Sequence, residues 1–137
     1  MTAEPGPSLP SRLGLALAAL AWLFVACVAI QFFLVGLLVF HAEPWTGLHR
    51  EFAYTYGWLT PILVLLAMSS AGSPRARRLA LALLVLFAIQ TFLPLLKGAA
   101  PWIAAIHAPN ALLVAWLAVQ LARAVSPHPG AVGTPGR

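Results

Sequence analysis

The sequence predicts an all-α fold: a bundle of four transmembrane helices, running up and down, made of two duplicated helix pairs. Three observations carry this. The chain is 61% hydrophobic and only 8% charged, whereas a soluble domain carries roughly a quarter charged residues to present a wet surface. Four long stretches hold no Asp, Glu, Lys or Arg at all: residues 13–40, 52–72, 79–96 and 103–122. The third is a repeated phrase, "AIQFFLVGLL" from Ala29 and "AIQTFLPLLK" from Ala88.

A helix needs about 20 apolar residues to cross a hydrocarbon core, and its backbone must satisfy its own hydrogen bonds there. Each stretch meets or approaches that length. The first is too long for a cleaved signal peptide, whose apolar region is about 7–15 residues, so it reads as a retained helix. The second and fourth follow Pro44-Trp45 and Pro101-Trp102. Proline suits a first helical turn, where its missing N–H is not needed, and tryptophan suits the membrane interface. The third follows Arg75, Arg77 and Arg78. Pro61, Pro94 and Pro109 read as kinks, and one at Pro94 would open the bundle just past Gln90.

Orientation follows from the basic residues. Arg12, Arg75, Arg77, Arg78, Arg123 and Arg137 fall on one side, Arg50 and Lys97 on the other with Glu43 and Glu51. The Arg-rich side is then cytoplasmic, with both termini inside, as in a multi-pass protein of the cytoplasmic (inner) membrane. The net charge of +5 is explained as a topology signal and requires no nucleic acid. The tails, residues 1–12 and 124–137, are rich in Pro, Gly and Ser and are expected to be disordered, with His128 of no consequence. The single cysteine, Cys27, sits mid-helix and reads as a packing residue.

The repeat extends beyond its opening phrase. Gln31 and Gln90 correspond, and "PWTGLH" ending at His49 faces "PWIAAIH" ending at His107. Repeat 1 spans about residues 13–72 and repeat 2 about 75–123. Parallel repeats are related by an axis along the membrane normal. With short loops, consecutive helices are neighbours, so His49 faces His107 across one diagonal and Gln31 faces Gln90 across the other. The glutamines are expected one turn deeper than the histidines.

Two neutral imidazoles from opposite sides of a four-helix bundle are a ligand set for haem iron. Ala53, Gly57 and Ala111 leave room for a flat macrocycle, Arg50 and Lys97 are placed to pair with propionates, and Asn110 can satisfy a propionate or the backbone freed by Pro94. The plainer readings stand beside this one. Gln31 and Gln90 serve equally as interhelical hydrogen-bond glue, the histidines as interfacial anchors, and Arg50 and Lys97 as snorkelling cations. His41 lies at the outer surface without a counterpart in the second half. No Gly-rich phosphate loop, Cys-x-x-Cys or Ser/His/Asp set occurs, and there is little mid-membrane polarity for a transporter or proton pump.

At "QFFLVG" followed by "LHREF", and at "IQTFL" followed by "IHAPNALL", the chain resembles one four-helix half of the haem A synthases. It also looks like the small four-helix membrane proteins of high-GC bacteria. The first resemblance carries to His49, Arg50 and His107, and loosely to Gln31, Gly36 and Gln90. It implies histidines at the outer ends of paired helices ligating haem. The expectation is a b-type haem protein for electron transfer or haem handling, in the bilayer, with a redox partner. The alternative is a cofactor-free accessory or structural subunit of a larger membrane complex.

Overall fold

The computed structural model describes residues 9–41, 45–69 and 72–126. Glu43, Pro44, His128 and most of the two tails lie outside the described residues, which form helices and no strand. The elements are α1 (Leu9–His41), α2 (Trp45–Gly57), α3 (Leu59–Met68), α4 (Pro74–Phe92), α5 (Pro101–Ala105) and α6 (His107–Val125), with a 3-10 turn at Leu93–Leu96 after α4. Grouped by continuity they give four spans long and apolar enough to cross a membrane: Arg12–His41, Trp45–Met68, Pro74–Leu96 and Pro101–Val125.

Two boundaries differ from the expected tails. Helix α1 already begins at Leu9, with Pro10 tolerated in its first turn. Helix α6 runs on to Val125, and the Ser126 hydroxyl that follows donates to the Ala122 carbonyl at 2.7 Å. Trp22 on α1 donates from Nε1 to the same hydroxyl oxygen at 2.9 Å, tying the first and last spans together.

The first span packs against the second, the second against the third, the third against the fourth, and the fourth returns to the first. The backbones on the diagonals stay further apart, as the up-down arrangement requires. A seam with alternating steps of four and three residues builds this ring. On α1 it runs through Leu17, Ala21, Phe24 and Val28 to Gln31; on α4, through Ala76, Ala80, Leu83 and Phe87 to Gln90. Such spacing keeps one stripe facing its neighbours when helices coil left-handedly. The other faces expose Phe33, Leu65, Val85, Leu112 and Trp116, surface that suits lipid. Lipid gives helices no hydrophobic reason to associate, so close van der Waals contact must do it. Ala67, Ala76, Ala80, Ala118 and Ala122 are all essentially fully buried, which lets the backbones approach.

The prolines break the spans where expected, and the freed carbonyls find new donors. Pro61 cannot donate to Gly57, four residues back, and the helix is interrupted at Trp58. The Thr60 hydroxyl donates to the Gly57 carbonyl instead, at 2.8 Å. Pro109 coincides with the turn at Ile106 that separates α5 from α6. Pro94 ends the regular winding of α4 and starts the 3-10 turn. At the other end of α4, Ser73 caps the helix by accepting from the Ala76 N–H at 3.2 Å, with Pro74 in the first turn. Arg77 closes the end of α3 by donating from Nε to the Ala67 carbonyl at 3.2 Å.

Midway along the bundle, Phe24, Tyr56 and Phe87 meet edge to face. Their centroids are 5.3 Å (Phe24–Tyr56), 5.8 Å (Phe24–Phe87) and 5.4 Å (Tyr56–Phe87) apart. Such pairs contribute about 0.5–1.5 kcal/mol each beyond the area they bury. Towards the Arg-rich end, leucine and alanine pack the interior, with Leu17, Leu63, Leu83 and Leu121 essentially fully buried. Towards the end holding Trp45 and Trp102, the interior is hollow.

Candidate functional site

A cavity of about 550 Å³ occupies the hollow half. Tyr56, Phe87 and Val114 form its floor, and Ala53 and Ala111 part of its wall. Its polar groups are few: Gln31 and Gln90, His49 and His107, Arg50 and Lys97, with two threonines and the hydroxyl-bearing Tyr54 and Tyr56. A mostly apolar chamber of a few hundred cubic ångströms with several convergent polar groups is the usual form of a small-molecule or cofactor site. The sequence placed the two histidines and two glutamines around one space, and they do share it.

The pairing within that space is different from the one expected. Each glutamine binds the histidine of its own half, rather than standing a turn deeper opposite its counterpart. A glutamine side chain is long enough to close that axial offset. The two pairs are also built differently.

In the second half the network is complete. Asn110 on α6 is 4% exposed and donates from Nδ2 to the Leu86 carbonyl at 3.0 Å, which fixes its amide orientation. The same Nδ2 donates to Gln90 Oε1 at 2.7 Å. Gln90 must therefore present Nε2 to His107 Nε2, 3.2 Å away, and that ring nitrogen accepts. The proton of His107 then resides on Nδ1, which donates to the Gln90 carbonyl at 3.0 Å. That carbonyl is the one left without a helical partner by Pro94. One residue, Gln90, thus holds both ring nitrogens, and each donor in the chain has an acceptor.

In the first half two residues differ. Val35 stands four after Gln31, where Pro94 stands four after Gln90. Val35 has an N–H, α1 continues unbroken, and no carbonyl is released for His49. Phe52 stands three after His49, where Asn110 stands three after His107. Phe52 packs on Tyr56, centroids 5.2 Å apart, and offers no donor. The result is visible at Gln31. Its Nε2 donates to the His49 carbonyl at 2.9 Å and lies 3.0 Å from His49 Nδ1, with Nε2 further off at 3.4 Å. Its Oε1 is buried with no hydrogen-bond partner. His49 accepts at Nδ1, so its proton resides on Nε2, the opposite tautomer from His107.

The remaining expected residues divide. Arg50 lines the cavity but forms an exposed ion pair with Glu51, Nη2 to Oε1 at 3.0 Å. Lys97 lines it from the exposed turn after the 3-10 helix. Gly57 does not line the cavity. A Cβ there would come within 2.6 Å of Phe87 Cε1, so the missing side chain admits the Phe87 ring and makes no room for a ligand. Asn110 is outside the lining too, sealed behind Gln90. Thr60 was not foreseen, although a threonine directly before a mid-helix proline is a signal for a substitute backbone donor. Among the described residues no group of three or more His, Cys, Asp or Glu is placed to hold a metal ion. Any metal here would rest on the two histidines alone. Comparison with protein families, curated proteins and solved structures returns no match, so the site must be understood from its own chemistry.

Proposed function

We propose that this chain is a small integral protein of the cytoplasmic membrane, both termini inside, that binds a b-type haem between His49 and His107 for electron transfer or haem handling. The observation that carries this reading is the cavity of about 550 Å³ lined by one histidine from each half of the bundle. The residues present fit the group. Both imidazoles line a mostly apolar chamber with small and aromatic walls, and Lys97 and the Glu51-paired Arg50, which also line it, suit a pair of carboxylates. His107 also donates its Nδ1–H to a backbone carbonyl, the outer contact that metal-bound histidines commonly make, which leaves Nε2 as the ligating atom. When bound, haem would supply a one-electron couple, and the two histidines would hold it from opposite sides. Gln31 and Gln90 would exclude water and orient the rings.

The test is a purification in mild detergent with haem supplementation, followed by oxidised and dithionite-reduced visible spectra. A six-coordinate b-type spectrum, lost in His107→Ala, is expected. A colourless protein after supplementation rejects the reading.

One observation favours a second reading, a cofactor-free accessory or structural subunit of a larger membrane complex. The lone pair of each ring is already met by a glutamine N–H, so the site is chemically consistent as helix–helix glue. In that case His49→Ala and His107→Ala lower stability and change no cofactor content.

A further inference from the structure

We propose that the two histidines are unequal ligands, with His107 the permanent one and His49 the one that lets go, so that the haem site opens on the His49 side to an incoming neutral ligand. This rests on the haem reading above and deepens it.

The argument is the reorganisation each ring needs before Nε2 can bind a metal. His107 needs little. Its proton already lies on Nδ1, anchored to the Gln90 carbonyl at 3.0 Å, and the lone pair of Nε2 is engaged only by a 3.2 Å contact from the Gln90 amide. Withdrawing that amide leaves ring orientation and tautomer in place. The anchor persists because Pro94 keeps the carbonyl free of a helical donor.

His49 needs more. Its lone pair is on Nδ1, held by Gln31 Nε2 at 3.0 Å. Ligation through Nε2 requires the proton to move to Nδ1, where it would confront the Gln31 N–H. A half-turn of the Gln31 amide would bring Oε1 to that proton and give the orphaned oxygen its missing donor. The same half-turn sets Oε1 against the His49 carbonyl, which Nε2 now approaches to 2.9 Å. Before the half-turn one buried oxygen goes unmet; after it, Oε1 faces a carbonyl and Nε2 takes the position that has no partner. With Phe52 where the second half has Asn110, no third residue settles the choice. His49 is therefore the weaker ligand by construction.

The experiment uses the full-length protein in detergent, loaded with haemin, as wild type, His49→Ala, His107→Ala and Asn110→Ala. Visible spectra are recorded with and without added imidazole, and haem loss is timed by transfer to excess apomyoglobin. Wild type is expected to be six-coordinate. His49→Ala should keep its haem as a five-coordinate high-spin species and return to six-coordinate when imidazole is added. His107→Ala should lose haem at least about tenfold faster than His49→Ala, the lower end of what outer-contact losses alone cost a metal site. Asn110→Ala retains both histidines and releases Gln90, and should lose haem about tenfold faster than wild type, which keeps the test open if His107→Ala fails to fold. Equal loss from the two histidine variants, faster loss from His49→Ala, or wild-type retention in Asn110→Ala overturns the proposal while leaving the haem reading intact. Wild type that takes up no haem overturns both.

Discussion

His107 donates its Nδ1–H to the carbonyl oxygen of Gln90 at 3.0 Å, and that carbonyl is available because Pro94, four residues on, has no N–H to offer it. A helix break on one span and a ring orientation on another are thus one event. The first half of the bundle has valine in place of that proline, and its histidine is held by a side chain instead.

The difference between the two pairs predicts unequal costs for removing either glutamine. Gln90→Leu strips Asn110 Nδ2 of one acceptor and His107 Nε2 of its donor. Gln31→Leu leaves the His49 ring without its donor but also removes a buried oxygen that has no partner. Gln90→Leu should therefore be more destabilising by about 1 kcal/mol, given the modest worth of hydrogen bonds between membrane helices. Thermal unfolding in detergent, followed by tryptophan fluorescence, measures this. Equal midpoints would mean the Asn110–Gln90–His107 chain contributes nothing.

Gly57→Ala forces Phe87 to move, since the new methyl would lie 2.6 Å from the ring. Overpacking of this kind costs about 1–3 kcal/mol. It also disturbs the floor of the cavity, where Phe87 meets Tyr56 and Phe24. Gly36→Ala, with nothing within 4 Å of the added atom, should leave the unfolding midpoint unchanged. A neutral Gly57→Ala would show that the ring has somewhere else to go.

The Thr60 hydroxyl substitutes for the helical donor missing at Pro61. Thr60→Ala should cost about 1 kcal/mol, and Thr60→Ser, which keeps the hydroxyl, should recover most of it. If serine is no better than alanine, the methyl group of Thr60, itself 2% exposed, is what matters, and the Gly57 carbonyl is served some other way.

The orientation proposed from the arginines is checked by cysteine labelling in a Cys27→Ala background. Gly98→Cys lies in the turn between the 3-10 helix and α5 and has open space around it. It should react in intact cells with a membrane-impermeant maleimide. Arg75→Cys, exposed at the start of α4, should react only after lysis. The reverse pattern would invert the topology.

Much of this arrangement was legible in the sequence because its signals are long or chemically rare. Spans of lipid length, the ring of neighbours and the gathering of Gln31, Gln90, His49 and His107 follow from length, charge and loop size. The pairings were not legible. A glutamine reaches far enough to bond across or along its own half, and only packing decides. Gly57 looked like spare room because an absent side chain does not announce whose ring will fill it. Asn110 was visible as polar, but its role depends on Leu86 and Gln90 arriving beside it from another span. Thr60 was hidden by being common. Boundaries shifted for a simpler reason: residues 9–12 and 124–125 end the apolar pattern without ending the helical one.

The cavity reaches Tyr56 and Phe87, and beyond them Leu17, Leu63, Leu83 and Leu121 are essentially fully buried. The bundle is in this respect a cup and not a pipe. A molecule lodged in the hollow half therefore meets packed side chains on its way inward, and its readiest way out is the way it came.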